Sequence, residues 1–235
     1  MSYSGLEPRI SMRYNVADNL SIKGSYNRAF QYLQLLSNTT TPTPVDIWQV
    51  SNPYIEPLMA DNFSVGIAGS FGNYDANFDM YYKKLENTLD YRDFADLILN
   101  TNLETETLFG RGRSYGAELS ITKKGEVLSG RFSYSFSRSQ HQVYENQNAT
   151  INGGEWFSAN FDQPHSVKLF LNIVTSRRDR FNINFVYNTG RPITAPFGTY
   201  IVNGAVVSNF TDRNQFRLPS YHLSLIHISE PTRPY

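Results

Sequence analysis

Apolar and polar residues alternate with a period of two along most of this chain. In the stretch PRISMRYNV, Ile10, Met12, Tyr14 and Val16 fall on one face and polar residues lie between them. This alternation is typical of a β-strand with one apolar and one polar face. A turn at residues 17–19 leads into LSIKGSYN, which alternates in the same way. The two stretches therefore predict a β-hairpin.

The same pattern predicts three more hairpins, formed by NFSVGIAGSF with ANFDMYYK, SYGAELSIT with LSGRFSYSFS, and HSVKLFLNIV with FNINFVYN. A ninth strand is expected to begin near Phe216. The turns within hairpins are short, whereas the stretches between hairpins are long, at residues 30–57, 85–112, 139–163 and 189–215. A compact soluble domain rarely contains several long loops without structure. Alternation of short turns with long loops is characteristic of transmembrane β-barrels.

The two faces of the predicted strands also differ in charge. The apolar face has almost no charged residue, while the other face carries Arg9, Arg13, Glu118 and Arg131, among others. Aromatic residues such as Tyr26 gather near the strand ends, as in interfacial girdles. We therefore predict an all-β fold, a partial antiparallel transmembrane β-barrel of about eight or nine up-and-down strands. A soluble β-sandwich with one polar face would show the same alternation and stays open as an alternative.

Composition limits the chemistry of the chain. The 21 Lys and Arg residues balance the 21 Asp and Glu residues, so net charge does not point to nucleic acid, and no such partner is expected. The absence of cysteine excludes disulfides and cysteine-ligated metals. His141, His165 and His222 lack metal-ligand spacing, and no G-x-S-x-G motif is present. We predict no catalytic residue, no metal, no cofactor and no enzymatic activity.

Four stretches carry a resemblance to a known family: GLEPRISMRYNVADNLSIKGSYNRAFQYLQLLSNTTTPTPVDIW, FGRGRSYGAEL, FSYSFSRSQ and YNTGRPITAPFG. They resemble the C-terminal β-barrel of TonB-dependent receptors, particularly those of Bacteroidota. The resemblance implies an outer-membrane active transporter with a barrel of about 22 strands, a plug domain in the lumen, and a short box pulled by the protein TonB. The implied partners are outer-membrane lipid, the plug of the full-length chain, TonB and an unidentified extracellular substrate. A passive porin or an adhesive barrel is the alternative.

The sequence departs from this family plan at both ends. No plug precedes Leu6, and eight or nine strands cannot close so large a barrel, so residues 1–222 are expected to be a fragment of a receptor barrel. The resembled receptors continue after a residue like His222 with Arg-Leu-Asp-Leu, whereas this chain continues with LSLIHISEPTRPY. Codons for residues 223–233 can be spelled by the transposase end and primer of a sequencing library. We therefore expect residues 223–235 to be a non-native, adapter-derived tail.

The long loops contain the candidate binding residues. They carry aromatic side chains beside amides and carboxylates, which suit stacking against a sugar, peptide or chelate. These residues are Trp48, Tyr54, Tyr91, Trp156 and Phe157, and the two tryptophans are expected to line the substrate entrance. Alternatively, these side chains pack the loops against one another. In an intact receptor the lumen charges Arg9, Arg13, Glu118 and Arg131 would face the plug.

Overall fold

The computed structural model describes residues 3–37, 46–93, 95, 100, 103–146, 149–176 and 179–229. Its strands, numbered in chain order, are β1 Arg9–Ala17, β2 Leu20–Gln31, β3 Leu33–Ser37, β4 Asp46–Val50, β5 Leu58–Phe71, β6 Tyr74–Tyr91, β7 Thr107–Lys123, β8 Leu128–Asn146, β9 Ala149–Thr150, β10 Phe157–Ser158, β11 His165–Val174, β12 Arg180–Asn188, β13 Pro192–Ile193, β14 Pro196–Val202, β15 Ala205–Phe210, β16 Phe216–Arg217 and β17 Tyr221–Ser229. Two short 3-10 helices span Leu103–Glu106 and Asn152–Gly154. Within the described ranges, no helix has the length and apolar character needed to cross a membrane.

Nine long strands form one antiparallel sheet in the order β1-β2-β5-β6-β7-β8-β11-β12-β17. Consecutive long strands are neighbours, and β1 and β17 are the two end strands, so the described sheet is an open, partial barrel. The predicted all-β antiparallel architecture and its four hairpins are confirmed. The ninth strand of this sheet begins at Tyr221, because the segment near Phe216 pairs with β13 instead.

Strand register aligns the two predicted faces across the sheet. Ile22 lies opposite Ile67, which lies opposite Phe78, so side chains of one kind share a face. We call this side the apolar face and the opposite side the polar face. One transverse row on the apolar face, here the aromatic row, consists of Tyr26, Phe63, Tyr82 and Tyr115. The exposed hydrophobic side chains of the strands, including Met12 and Val65, lie mainly on the apolar face.

The strands on the long-loop side extend further than the sequence pattern predicted. β6, β7 and β8 contain 18, 17 and 19 residues, and β6 still pairs with β7 at Tyr91 and Thr107. The prediction of loops over residues 85–112 and 139–163 was therefore wrong in large part. The physical cause is a register shift between Glu86 and Thr88, where Asn87 adopts a positive φ of 60°. This bulge changes the phase of the alternation without ending the pairing.

The short turns are tighter than the pattern indicated. β1 continues to Ala17, which pairs with Leu20, so the first turn comprises only two residues. In the second hairpin Phe71 pairs with Tyr74, and Gly72 takes a φ of 57° in the two-residue turn between them. The turn types that suit two-residue hairpins commonly use a positive φ, which Gly72 adopts at little steric cost.

The strand β17 matches the two faces of the sheet only in part, because Ile226 lies opposite Ile183 on the apolar face but the residues before it do not follow the pattern. Ser224 lies opposite Phe185 on the apolar face, while Leu223 and Leu225 lie on the polar face with 55% and 57% exposure. Residues 223–229 of the expected non-native tail thus belong to a paired strand, and residues 230–235 lie outside the described residues. Strand pairing depends on backbone hydrogen bonds, which nearly any sequence can form. The pairing of β17 therefore does not show whether residues 223–229 are native.

Candidate functional site

The long-loop end of the sheet is covered by folded loops. We call its strand segments the rim, formed by residues 85–91, 107–113 and 138–146 of β6, β7 and β8. Three additional strand pairs lie in the connections between the long strands: β3 with β4, β13 with β16, and β14 with β15. The described parts of these connections therefore contain strands, in contrast to the loops that the sequence predicted.

The first of these connections packs on the apolar-face side of the rim. Leu36 and Ile55 form a buried cluster with Leu89 and Tyr91, and Phe109 packs against it. Tyr91 is only 1% exposed, and its burial raises the pKa of its hydroxyl. Tyr91 ends strand β6 and packs against the loop, which agrees with the alternative that the aromatic residues pack the loops against one another.

A second cluster lies on the polar-face side of the rim. It contains Leu108, Val143, Ile151 and Phe157, all nearly inaccessible to solvent. Phe157 belongs to β10, which pairs with β8 at His141. Phe157 is 6% exposed, so it too packs a loop, as the alternative interpretation of the aromatic residues expects. This cluster holds residues 149–164 against the rim.

Arg213 joins the last connection to the rim through buried charges. Its guanidinium, 5% exposed, donates hydrogen bonds to Asp90 at 2.5 Å and to Asp93 at 2.6 Å. Its backbone N–H donates to Asn152 Oδ1 at 2.8 Å, and the Asn152 amide donates back to the Arg213 carbonyl at 2.9 Å. A buried cation is stable only when paired, so this arrangement depends on both carboxylates.

Asp162 is a second buried centre between the same two loops. Its side chain has no exposed area and accepts hydrogen bonds from the Ser139 N–H at 2.7 Å and from Arg217 at 2.6 Å. Arg138 approaches the same carboxylate at 3.5 Å. Arg217 also donates to the Gly190 carbonyl at 2.9 Å. A carboxylate with this set of partners fixes residues 159–164, residues 189–217 and the edge of β8 to one another.

Asn214 and Gly190 show how closely the loops approach. The Asn214 amide donates to the Ser158 carbonyl at 2.7 Å and to Asn160 Oδ1 at 2.6 Å. A Cβ at Gly190 would lie 1.8 Å from the carbonyl oxygen of Leu218, so only glycine fits at this backbone crossing. Through these contacts the separate connections pack together. We call the packed residues 149–164 and 189–217, together with the rim, the mouth.

A small polar cavity of about 320 Å³ opens beside Arg213. Asp93, Thr150, Asn152 and residues 209–213 line it. Carboxylate, hydroxyl and amide groups in such a cavity can hydrogen-bond a polar ligand. Over the described part of the chain, no group of three or more His, Asp or Glu side chains could hold a metal ion.

The remaining aromatic candidates differ in their surroundings. Trp48, on β4, is 61% exposed, and Tyr54 is 74% exposed. Trp156 is half-buried, with its ring 4.1 Å from the Arg113 guanidinium carbon and 5.4 Å from that of Arg111. Both arginines alternate in phase with Tyr115, which places Trp156 on the apolar-face side of the rim. The two tryptophans therefore have different environments rather than one shared surface.

The predicted lumen charges all lie on the polar face. Arg9, Arg13, Glu118 and Arg131 are exposed there. Glu118 and Arg131 line a cavity of about 570 Å³ together with Lys168. Glu118 also lies opposite Asp79, whose carboxylate forms an ion pair with the Lys23 ammonium group at 2.8 Å. Like charges directly opposite each other are unfavourable unless further partners or water compensate them.

Sequence reasoning missed the residues that organise the mouth. The segment FTDRNQFRLP contains Arg213, Asn214 and Arg217, but in sequence it resembles an ordinary polar loop. Its one signal is a pair of arginines among residues that favour turns. The carboxylates that these arginines meet lie far away in the chain, with Asp90 separated from Arg213 by 123 residues.

Comparison with known proteins places this geometry in a family. A family model described as "TonB dependent receptor-like, beta-barrel" matches residues 1–225. No curated protein matches the chain.

Solved structures show the same fold at low sequence identity. The ferripyoverdine receptor of the outer membrane of Pseudomonas aeruginosa is similar with a TM-score of 0.65 and 12% identity, over 97% of this chain and 27% of that chain. The FrpB iron transporter of Neisseria meningitidis has a TM-score of 0.62 and 13% identity, over 98% of this chain and 33% of that one. The ferric yersiniabactin uptake receptor FyuA of Yersinia pestis has a TM-score of 0.56 and 12% identity, over 96% and 29%. The chain thus spans between 27% and 33% of the length of these three structures.

Proposed function

The chain belongs to the family of TonB-dependent receptor β-barrels, and we propose from this premise that it forms part of the wall and extracellular mouth of an active-transport receptor. Members of this family are proteins of the outer membrane. The apolar face therefore lies against lipid and the polar face against the lumen. The receptor would bind a substrate at its long loops and import it with energy delivered through TonB.

The packed mouth is the observation that carries this proposal. Residues 149–164 and 189–217 pack together along the edge of β8 and are joined by the buried charges of Asp162 and Arg213. In a passive pore, wide access to the lumen favours permeation. Loops that are packed together at the long-loop end instead suit a receptor that selects its ligand before transport.

The substrate proposal rests on the exposed aromatic residues. Trp48 and Tyr54 remain accessible and are available for stacking, whereas Tyr91 and Phe157 are used in packing. Ferripyoverdine and ferric yersiniabactin are the ligands named for two similar structures. A first panel of these ferric chelates, with oligosaccharides as a second panel, covers the ligand chemistries that such side chains suit.

The experiment compares uptake by the full-length protein in cells with and without TonB. We expect uptake of one panel member to require TonB and to fall when Trp48 and Tyr54 are both replaced by alanine. Uptake that persists without TonB would favour the alternative of a passive porin. A protein that binds cells or surfaces but imports no panel member in either background would favour an adhesive barrel.

The lumen charges support a further part of the proposal, contact with a plug domain. Glu118 and Arg131 are exposed on the polar face, where hydrated ion pairs to a plug could form and break. Arg9 and Arg13 would contribute in the same way from β1. The absence of cysteine in this chain allows single cysteines to carry a photo-crosslinker without background labelling here.

The crosslinking prediction uses neighbouring residues that point to opposite faces. A crosslinker on Glu118→Cys or Arg131→Cys in the full-length receptor is expected to capture the plug. Leu119→Cys provides the control, because Leu119 shares the apolar face with Phe78. If Leu119→Cys captured the plug equally well, or if neither polar-face position captured it, contact between these lumen charges and the plug would be excluded.

We also propose that residues 1–222 are a fragment of a Bacteroidota-type receptor barrel and that residues 223–235 are not native. The start of β17 supports the second point: Leu223 and Leu225 lie on the polar face and Ser224 lies opposite Phe185, whereas a native strand would place its leucines on the apolar face, as Ile226 lies opposite Ile183. Sequencing the source DNA across the codon for His222 is the test. Codons for an in-phase strand after His222 are expected, and recovery of LSLIHISEPTRPY from the source would refute the proposal.

A further inference from the structure

A charged band lies directly above the aromatic row on the apolar face. Register places Arg28, Asp61, Lys84 and Arg113 in one transverse row, two residues beyond Tyr26, Phe63, Tyr82 and Tyr115. Two residues of strand correspond to about 6–7 Å along the chain. Aromatic girdles mark the membrane–water interface, so this band lies at the level of the lipid headgroups.

The band has an excess of positive charge at one end. Arg28 and Asp61 neutralise each other through two hydrogen bonds, at 2.8 and 2.9 Å. Lys84 pairs with Glu86 at 2.5 Å. Arg113 and its neighbour Arg111 donate only to neutral side-chain oxygens, those of Gln140 and Gln142, and neither guanidinium pairs with a carboxylate of the described residues.

Aromatic rings hold these two arginines in place. The Trp156 ring contacts both guanidinium groups, and the Tyr144 ring lies 4.9 Å from that of Arg111. Cation–π contacts orient the guanidinium planes and reduce the entropy that binding must overcome. Two like charges held side by side favour an anion that contacts both, and the planar guanidinium matches the geometry of phosphate oxygens.

We propose that Arg111 and Arg113, with Lys84 beside them, form a docking site for the phosphate-bearing headgroup of an outer-leaflet lipid. The position favours a lipid as the source of phosphate, because the band lies on the lipid-facing side of the wall, directly beyond the aromatic row, whereas the lumen lies behind the polar face. Trp156 acts here as a positioning residue for the two arginines. This role is independent of which substrate the receptor imports.

The test measures lipid binding to the full-length protein in detergent by native mass spectrometry. The probes are diphosphorylated lipid A and the same lipid without its phosphates. Arg111→Gln/Arg113→Gln is compared with Lys168→Gln/Arg180→Gln, a pair of exposed cations on the polar face. Heat-modifiable migration in gels reports whether each variant is folded.

We expect Arg111→Gln/Arg113→Gln to weaken binding of diphosphorylated lipid A by at least about tenfold, since each interfacial cation contributes to attraction of anionic lipid. The polar-face pair should leave binding unchanged, and the dephosphorylated lipid should not distinguish wild type from either variant. Equal binding of both lipids, or full displacement by excess inorganic phosphate, would overturn the proposal. If the double variant does not fold, the exposed Lys84→Gln should weaken binding by about twofold or more, and no change would count against the site.

Discussion

At the scale of residues, the mouth depends on a few buried polar side chains. Arg213 forms hydrogen bonds with Asp90, Asp93 and Asn152. Asp162 accepts hydrogen bonds from the backbone of β8 and from Arg217. Partners of this number and geometry offset the cost of removing charges from water. The same dependence makes the mouth vulnerable to loss of a single partner.

Replacing Arg213 with alanine should open the mouth locally. The change leaves the largely buried carboxylate of Asp90 without its cation, and breaking a buried pair costs about 3–5 kcal/mol, whereas Asp93 is 48% exposed and its loss of a partner adds little. Hydrogen exchange of residues 149–164 and 189–217 should become faster, while exchange in β5 stays unchanged. Arg191→Ala, at an exposed arginine of the same connection, is the control. Equal exchange in both variants would show that Arg213 does not hold the loops.

At the scale of elements, the extension of β8 connects the wall to the mouth. His141 lies in this extension, opposite Phe157, with its ring 6.2 Å from that of Phe157 and 6.5 Å from that of Phe161. Burial lowers the pKa of His141, and the charge of Asp90 offsets this only in part. The imidazole is thus held neutral inside the packed loop.

Acidification should therefore loosen this loop. A histidine with a lowered pKa binds its proton more readily when the loop is unfolded, so the stability that it contributes is present above the unfolded pKa of about 6.5. That stability is lost as the pH falls below this value. Hydrogen exchange of residues 150–162 should be faster at about pH 5.5 than at about pH 7.5. In a His141→Gln variant, this difference should be smaller; an equal difference would assign the effect to other groups.

The elements also show why sequence patterns failed at the rim. Up to Glu86 the alternation of β6 has one phase, and beyond the bulge at Asn87 the buried residues Leu89 and Tyr91 follow another. The alternation alone therefore predicts that β6 ends at this point, although its backbone continues to pair with β7. The residues of β8 beyond Arg138 are mainly polar, so the alternation is lost there as well.

At the scale of the whole molecule, the sheet separates lipid from a hydrated lumen. The apolar face exposes Phe78 and Met80 within the transmembrane region, where lipid covers them. On the polar face Lys23 and Asp79 form an ion pair at 2.8 Å that remains partly exposed. Lipid on one side and water on the other therefore favour apolar and polar side chains, respectively, at adjacent residues of one strand.

Adjacent substitutions in β6 should reveal this difference. Phe78→Arg places a charge on the lipid face and should destabilise the folded protein by about 2–4 kcal/mol. Asn77→Arg places the same charge on the polar face, where Asn77 is exposed, and should cost much less. Denaturant titration of the full-length protein refolded in lipid vesicles measures both. Similar destabilisation by the two changes would contradict the assignment of faces.

The sequence by itself determined the central parts of eight long strands, their pairing in four hairpins and the face on which their side chains lie. These properties depend on local alternation and short turns, and a register slip by one residue would put every apolar side chain on the wrong face. The tertiary structure alone decided which loop residues are buried. Tyr91 and Phe157 became packing residues, Trp156 came to lie over two arginines, and Arg213 met Asp90. Contacts between residues distant in the chain depend on how the loops pack against the rim, and no local pattern encodes that packing.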